Sequence, residues 1–181
     1  AVGIALKKGA AEAEAYVYEG QATNVGIERG QIAKTNKIID RGLGIRVTVN
    51  KAVGFAYTNI IEDQAAIEGV ALRALSAARA SKPDQDWNGL PEKKPYDTAE
   101  RIYDHKILEL SAEGLVDIAS RMLDAALSVN KRVFPIEGGA GAVYLSNAIA
   151  NLNGVAGFDK GTMMECSLAA VAKEGNTVTP V

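Results

Sequence analysis

The chain has 181 residues, a formal net charge of -2, 48% hydrophobic and 23% charged residues. That is enough for one domain or two small subdomains without a disulfide or metal staple, because a chain of about 150 residues buries roughly 70% of its unfolded surface. With no basic cluster longer than pairs such as Lys7–Lys8 and no apolar run of membrane-spanning length, it reads as neither a nucleic-acid binder nor a spanning helix.

In chain order, Ala1 to Ala10 carries Lys7 and Lys8 after its apolar part, the reverse of a secretory signal. There is no initiator Met, and the Ile4, Ala5, Lys8 spacing is that of a helix tail. Thr177 to Val181 stops within an apolar, β-branched stretch. The expectation is a fragment cut at both ends, chiefly at the carboxyl end.

Residues 11–18 alternate small or apolar with polar, the period of a half-buried strand. Gly20 and Gln21 read as a break. Residues 23–28 and 31–39 are further strands around an Arg29-Gly30 turn, and 43–49 and 52–57 flank Asn50-Lys51. Short strands joined by tight turns predict an antiparallel meander, since parallel neighbours need long crossovers.

A first helix follows, with Asn59 as cap and Glu62 in capping-box spacing. Its stripe is Ile67, Val70, Ala71, Ala74, Leu75 and Ala78, and the alanines suit close packing on a sheet. Residues 82–104 contain Pro83, Pro91 and Pro95 and predict an irregular excursion, with Trp87 pinning it to the body. A second helix starts at Ser111 and buries Leu115, Ile118, Ala119, Met122, Leu123 and Ala126. Residues 132–136, 142–150 and 161–172 are strand-like. The whole, 1–181, reads as one α+β domain with short meander strands packed on two amphipathic helices.

Candidate chemistry is sparse. The lone histidine, His105, with Asp104 and Glu109 cannot supply the two histidines of a zincin helix. These three read as solvated groups at a helix start. Cys166 sits in Met163-Met-Glu-Cys-Ser167 and reads as a buried, inert thiol in a reducing compartment. No G-x-S-x-G elbow frames a serine. Gly42-Leu-Gly-Ile-Arg-Val47 and Glu137-Gly-Gly-Ala-Gly-Ala142 lead into strands rather than helices, so turn or bulge glycines are preferred to a phosphate cradle. The tyrosines look scattered, with no stacking platform.

Taken together, several segments resemble the amino-terminal domain of the TldD/PmbA family, also described as modulators of DNA gyrase. They are Lys8-Gly-Ala-Ala-Glu-Ala-Glu-Ala15, Gly42-Leu-Gly-Ile-Arg-Val47 with Val53-Gly-Phe-Ala-Tyr-Thr-Asn59, the alanine-rich helix, Tyr103-Asp-His-Lys-Ile107 with Ser111, and Ile149-Ala-Asn-Leu-Asn-Gly154 through Thr162. Leu152 departs from the serine usual in the family pattern. The resemblance implies a longer cytoplasmic protein with a β-rich carboxyl-terminal domain, acting in proteolysis or peptide maturation as paired subunits. TldD-like members bind zinc through a histidine/glutamate motif that no position here matches, and PmbA-like members lack it. The fragment is therefore expected to hold no cofactor and no catalytic residue, zinc belonging to the longer parent of the TldD branch. Its expected role is a scaffold that contacts peptide substrate, its own carboxyl-terminal domain and a homologous subunit. The alternatives are a non-catalytic PmbA-type assembly subunit and a small-molecule binding domain. Arg46, Asn151 and Asn153 are nominated for substrate or interdomain contact.

Overall fold

Two turns with left-handed backbone organise the first three strands. Arg29 and Gly30 have φ of 50° and 75°, and Asn50 and Lys51 have φ of 50° and 66°. Paired positive φ values match the right-handed twist of the flanking strands, which is why such two-residue connections close hairpins. The computed structural model describes residues 1–97 and 99–180. Thr98 in the irregular excursion and Val181 at the end of the last apolar stretch lie outside the described residues.

The elements are α1 (Val2–Lys7), β1 (Glu12–Glu28), β2 (Gln31–Val49), β3 (Ala52–Thr58), α2 (Gln64–Ala80), α3 (His105–Leu108), α4 (Ala112–Val129), β4 (Val133–Asn151), β5 (Ala156–Glu174) and β6 (Thr177–Val178). The strands form one antiparallel six-stranded sheet in the order β3-β2-β1-β4-β5-β6. The fold is α+β, as the strand and helix segregation predicts. The strands are longer than the sequence suggests, because the chain stays extended through Gly20 and through 40–42. The segments 132–136 and 142–150 likewise fuse into β4.

The chain divides into two compact units. The first holds Ala1–Glu19, Asp40–Ala99 and Leu145–Lys160. Its core joins Ala13 and Ala15 of β1, Leu43, Ile45 and Val47 of β2, and Val70, Ala71, Ala74, Leu75 and Ala78 of α2, with Ala5 of α1. The i, i+2 spacing on the strands and the i, i+3, i+4 spacing on the helix deliver these side chains to one interface. Burying each of the larger ones, such as Ile45 and Leu75, contributes about 1.5–3 kcal/mol. The helix lies so close to β3 that a Cβ at Gly54 would sit 2.1 Å from the Ala74 carbonyl oxygen. The small residues on both sides are what allow that approach. The cap of α2 is Asp63, whose carboxylate accepts from Ala65 N at 3.0 Å. This corrects the expectation of Asn59, which lies before the chain turns into the helix.

The second unit holds Gly20–Ile39, Glu100–Tyr144 and Gly161–Val181. Val25 and Ile27 of β1 and Ala140 and Ala142 of β4 pack with Leu115, Ala119 and Leu123 of α4. Ser111 caps α4 as its position suggests, its hydroxyl accepting from Gly114 N at 3.1 Å. The glycines of Glu137-Gly-Gly-Ala-Gly-Ala142 lie within β4 rather than in a turn. A Cβ at Gly139 would stand 2.3 Å from the Val25 carbonyl oxygen, so backbone approach between strands explains this glycine. Cys166 is exposed, not buried as the sequence suggests, because β5 is uncovered on both faces over residues 163–167. No helix among the described residues is long and apolar enough to cross a membrane.

Candidate functional site

Strand alternation gives the first unit's sheet two unlike faces. Ala13 and Ala15 of β1 and Leu43, Ile45 and Val47 of β2 enter the core, with Val17 and Val49 packed against it. Glu12, Glu14, Tyr16 and Tyr18 of β1 and Gly42, Gly44, Arg46 and Thr48 of β2 therefore share the opposite face. Register brings Phe55 and Tyr57 of β3 onto that face, paired with Arg46 and Gly44.

At one end of the face the groups are polar and covered by the excursion. Glu12 accepts hydrogen bonds from Trp87 Nε1 at 2.6 Å, Thr48 Oγ1 at 3.1 Å and Leu90 N at 3.0 Å. Burial pushes the Glu12 carboxyl up, but the three donors outweigh it and leave it below its ordinary value. Arg46 donates to Glu14 at 2.6 Å, and its guanidinium lies 5.7 Å from the centre of the Trp87 ring. Its Nε is buried without an acceptor among the described residues. Asn151 donates to the Pro91 carbonyl at 2.8 Å and accepts from Asn153 N and Val155 N. Asn153 donates to the Leu90 carbonyl at 2.8 Å. Arg46, Asn151 and Asn153 thus surround Trp87, Leu90 and Pro91 and engage partners within the chain. Trp87 pins the excursion as expected.

The other end of the face is open. Tyr18 and Phe55 lie across the glycine floor, since a Cβ at Gly42 would meet the Tyr18 ring at 2.9 Å and one at Gly44 the Phe55 ring at 3.0 Å. With Tyr16 and Tyr57 they wall a groove of about 760 Å³, edged by Asp40 and Arg41. Phe55 is 60% and Tyr57 74% exposed. At this edge Arg41 is ion-paired with Glu62, and the Asp40 carboxylate accepts from the Tyr18 hydroxyl and from Arg41 N. The Asp40 carboxylate, by accepting that hydroxyl, raises the Tyr18 pKa. The groove therefore offers aromatic faces beside one hydrogen-bonded carboxylate. The tyrosines look scattered along the sequence, yet Tyr16/Tyr18, Gly42/Gly44 and Phe55/Tyr57 each have the two-residue spacing that places a pair on one strand face. Gly42 and Gly44 are floor residues within β2, not turn or bulge glycines.

The remaining candidates do not converge. His105 Nε2 lies 3.1 Å from Glu109 Oε1, both well exposed, while Asp104 caps α3 through Lys106 N. Asp104 N in turn donates to Thr162 Oγ1 at 2.8 Å, a structural task for that threonine. Among the described residues no three His, Cys, Asp or Glu side chains gather in a way that holds a metal ion. This donor set does not fit zinc.

Two family models match the sequence: PmbA/TldA metallopeptidase domain 1 over residues 13–78 and the PmbA/TldA metallopeptidase central domain over residues 105–179. A search of curated proteins gave no significant match. Among solved structures, TldE from Thermococcus kodakarensis superposes with a TM-score of 0.92 at 22% identity, over 99% of this chain and 40% of that one. A candidate modulator of a DNA gyrase from Thermotoga maritima gives 0.83 at 18% identity, over 96% and 39%. One from Bacteroides thetaiotaomicron gives 0.82 at 20% identity, over 98% and 41%. The chain thus spans about two fifths of each solved relative.

Proposed function

The chain belongs to the PmbA/TldD metallopeptidase family, and from that premise we propose that it is the peptide-contacting part of a cytoplasmic peptidase system. In this reading the bond-breaking groups, and any zinc, lie outside the residues described. The observation that supports it is the uncovered, aromatic end of the first unit's sheet face. An extended peptide has main-chain donors and acceptors to satisfy and side chains on alternating sides. β3 is an edge strand, so it offers the first, and the groove of Tyr16, Tyr18, Phe55 and Tyr57 offers the second. Because its polar groups already hold partners within the chain, the groove recognises side chains chiefly by aromatic contact and imposes little sequence selection.

The test is peptide cleavage by the longer protein together with its homologous subunit, with and without chelator. Chelator-sensitive cleavage that falls in the Tyr18→Ala and Phe55→Ala variants is the expected result. Loss of sensitivity to both chelator and these variants contradicts the proposal.

A second reading, an assembly subunit that docks a catalytic partner, rests on how far this apolar surface extends, to Ile60 beyond the strand. Phe55, Tyr57 and Ile60 are exposed at or just beyond the edge strand. Light scattering distinguishes the two, since a docking role predicts an oligomer of the longer protein that Tyr57→Asp disrupts. A monomer removes this second reading.

A further inference from the structure

Tyr16 also faces a smaller hollow, of about 280 Å³, that it shares with Tyr96 of the excursion, Ile149 of β4 and Phe158, Gly157 and Asp159 of β5. Both tyrosine hydroxyls are already used. Tyr16 donates to Asn147 Oδ1 at 2.6 Å and Tyr96 to the Ala156 carbonyl at 2.8 Å. These bonds fix the two rings and leave apolar surface facing inward. Among the described residues, no lysine, arginine or histidine lines the hollow. The Asp159 carboxylate has no ion-pair or hydrogen-bond partner among the described residues.

We infer that this hollow is a side-chain subsite for a peptide that carries an uncharged apolar residue next to a positive charge. The inference rests on the peptide-contacting role proposed above and adds a preference to it. An apolar side chain gains by leaving water among Tyr16, Tyr96, Ile149 and Phe158. A neighbouring cation gains from the unpaired Asp159 and from three aromatic faces. An acidic neighbour would meet that same carboxylate with no cation to offset it. The charge can be a peptide's terminal ammonium or a lysine or arginine side chain, because the chemistry at Asp159 is the same.

The hollow can be altered without touching the open groove. A Cβ at Gly157 would lie 3.5 Å from Ile149 Cγ2, an ordinary contact, so Gly157→Leu grows against Ile149 and fills the hollow. Phe158 is 67% exposed, so Phe158→Ala removes a wall without emptying the core. Asp159→Asn removes only the charge.

The test is calorimetric titration of the chain with four hexapeptides. Three are acetylated and contain Phe-Lys, Phe-Gly or Phe-Glu, and the fourth is a free-amine peptide beginning Phe-Gly. Phe-Lys, the free-amine form, or both should bind about three- to fivefold more tightly than acetylated Phe-Gly, and Phe-Glu more weakly. Which cationic form gains identifies the source of the charge. Asp159→Asn should abolish the difference, and Gly157→Leu should weaken every phenylalanine peptide by about tenfold. If Gly157→Leu fails to fold, Phe158→Ala gives the same reading with a smaller loss. Peptides that bind equally to all variants overturn this subsite and leave the peptide-contacting role standing. No binding by any peptide overturns both.

Discussion

On the helix-free face of the first unit, the end built by Glu12, Glu14, Arg46 and Thr48 lies beneath Trp87 and Leu90, while the end built by Tyr18, Gly42, Gly44 and Phe55 is open. Both ends draw on β1 and β2, and the open end adds Phe55 of β3. At the covered end a half-buried carboxylate takes three donors, and the excursion supplies two of them. Cover and polarity there depend on each other, because a buried polar group without partners is costly. At the open end the rings lie across glycines, so the sheet is protected by aromatic surface that needs no partner. The lesson is that chemistry decides which end is structure: the polar end is spoken for, and the aromatic end stays available to a second molecule.

The largest effect that would break this contrast is at Glu12. Glu12→Ala leaves Trp87 Nε1, Thr48 Oγ1 and Leu90 N without their acceptor and should cost about 2–4 kcal/mol. Urea denaturation followed by fluorescence of Trp87, the single tryptophan, measures it. Phe55→Ala at the open end should cost less than about 1 kcal/mol, since its exposed ring loses little packing, and Tyr18→Ala, with a half-buried ring and a hydrogen bond to Asp40, about 1 kcal/mol. The same variants should weaken peptide binding by about tenfold, because truncating aromatic anchors at an interface commonly costs more than 1 kcal/mol. Stability losses as large at the open end as at Glu12 would erase the distinction.

Acid sharpens it further. Glu12 has a folded pKa below its ordinary 4.5. Its contribution is therefore complete above the unfolded value and is lost as pH falls through the folded one. Wild-type stability should show a component that declines in that acidic window and is missing in Glu12→Gln, read from denaturation midpoints. The smallest effect is at the open end, where Asp40→Asn should let Tyr18 ionise closer to the ordinary 10.0. Ultraviolet titration of the phenolate follows it, and no change in fold stability is expected.

Much of the fold was legible because local chemistry and global structure agree. Arg29-Gly30 and Asn50-Lys51 adopt the left-handed pairs a hairpin needs, and Ser111 caps α4. The stripe from Val70 to Ala78 enters the core. Strand ends were less legible, because Gly20 and Gly42 break strands in isolation but not when neighbours on both sides hold the backbone. Asp63 overtook Asn59 as a cap because residues 59–63 do not enter the helix. The site was harder still. Arg46, Asn151 and Asn153 stood out as polar residues in glycine- or asparagine-rich motifs, and they gather around Trp87, Leu90 and Pro91. The aromatic groove is assembled from three strands, so only the two-residue spacing of each pair was visible beforehand. Register, which joins Gly44 to Tyr57, is a tertiary property.

Amide shift mapping with an isotopically labelled chain and an extended, uncharged hexapeptide tests the central claim most directly. Perturbations should centre on Tyr16, Tyr18, Gly42, Gly44, Phe55 and Tyr57 and spare Glu12, Thr48 and Leu90. Saturable perturbations confined to the covered end, or none at all, would contradict it.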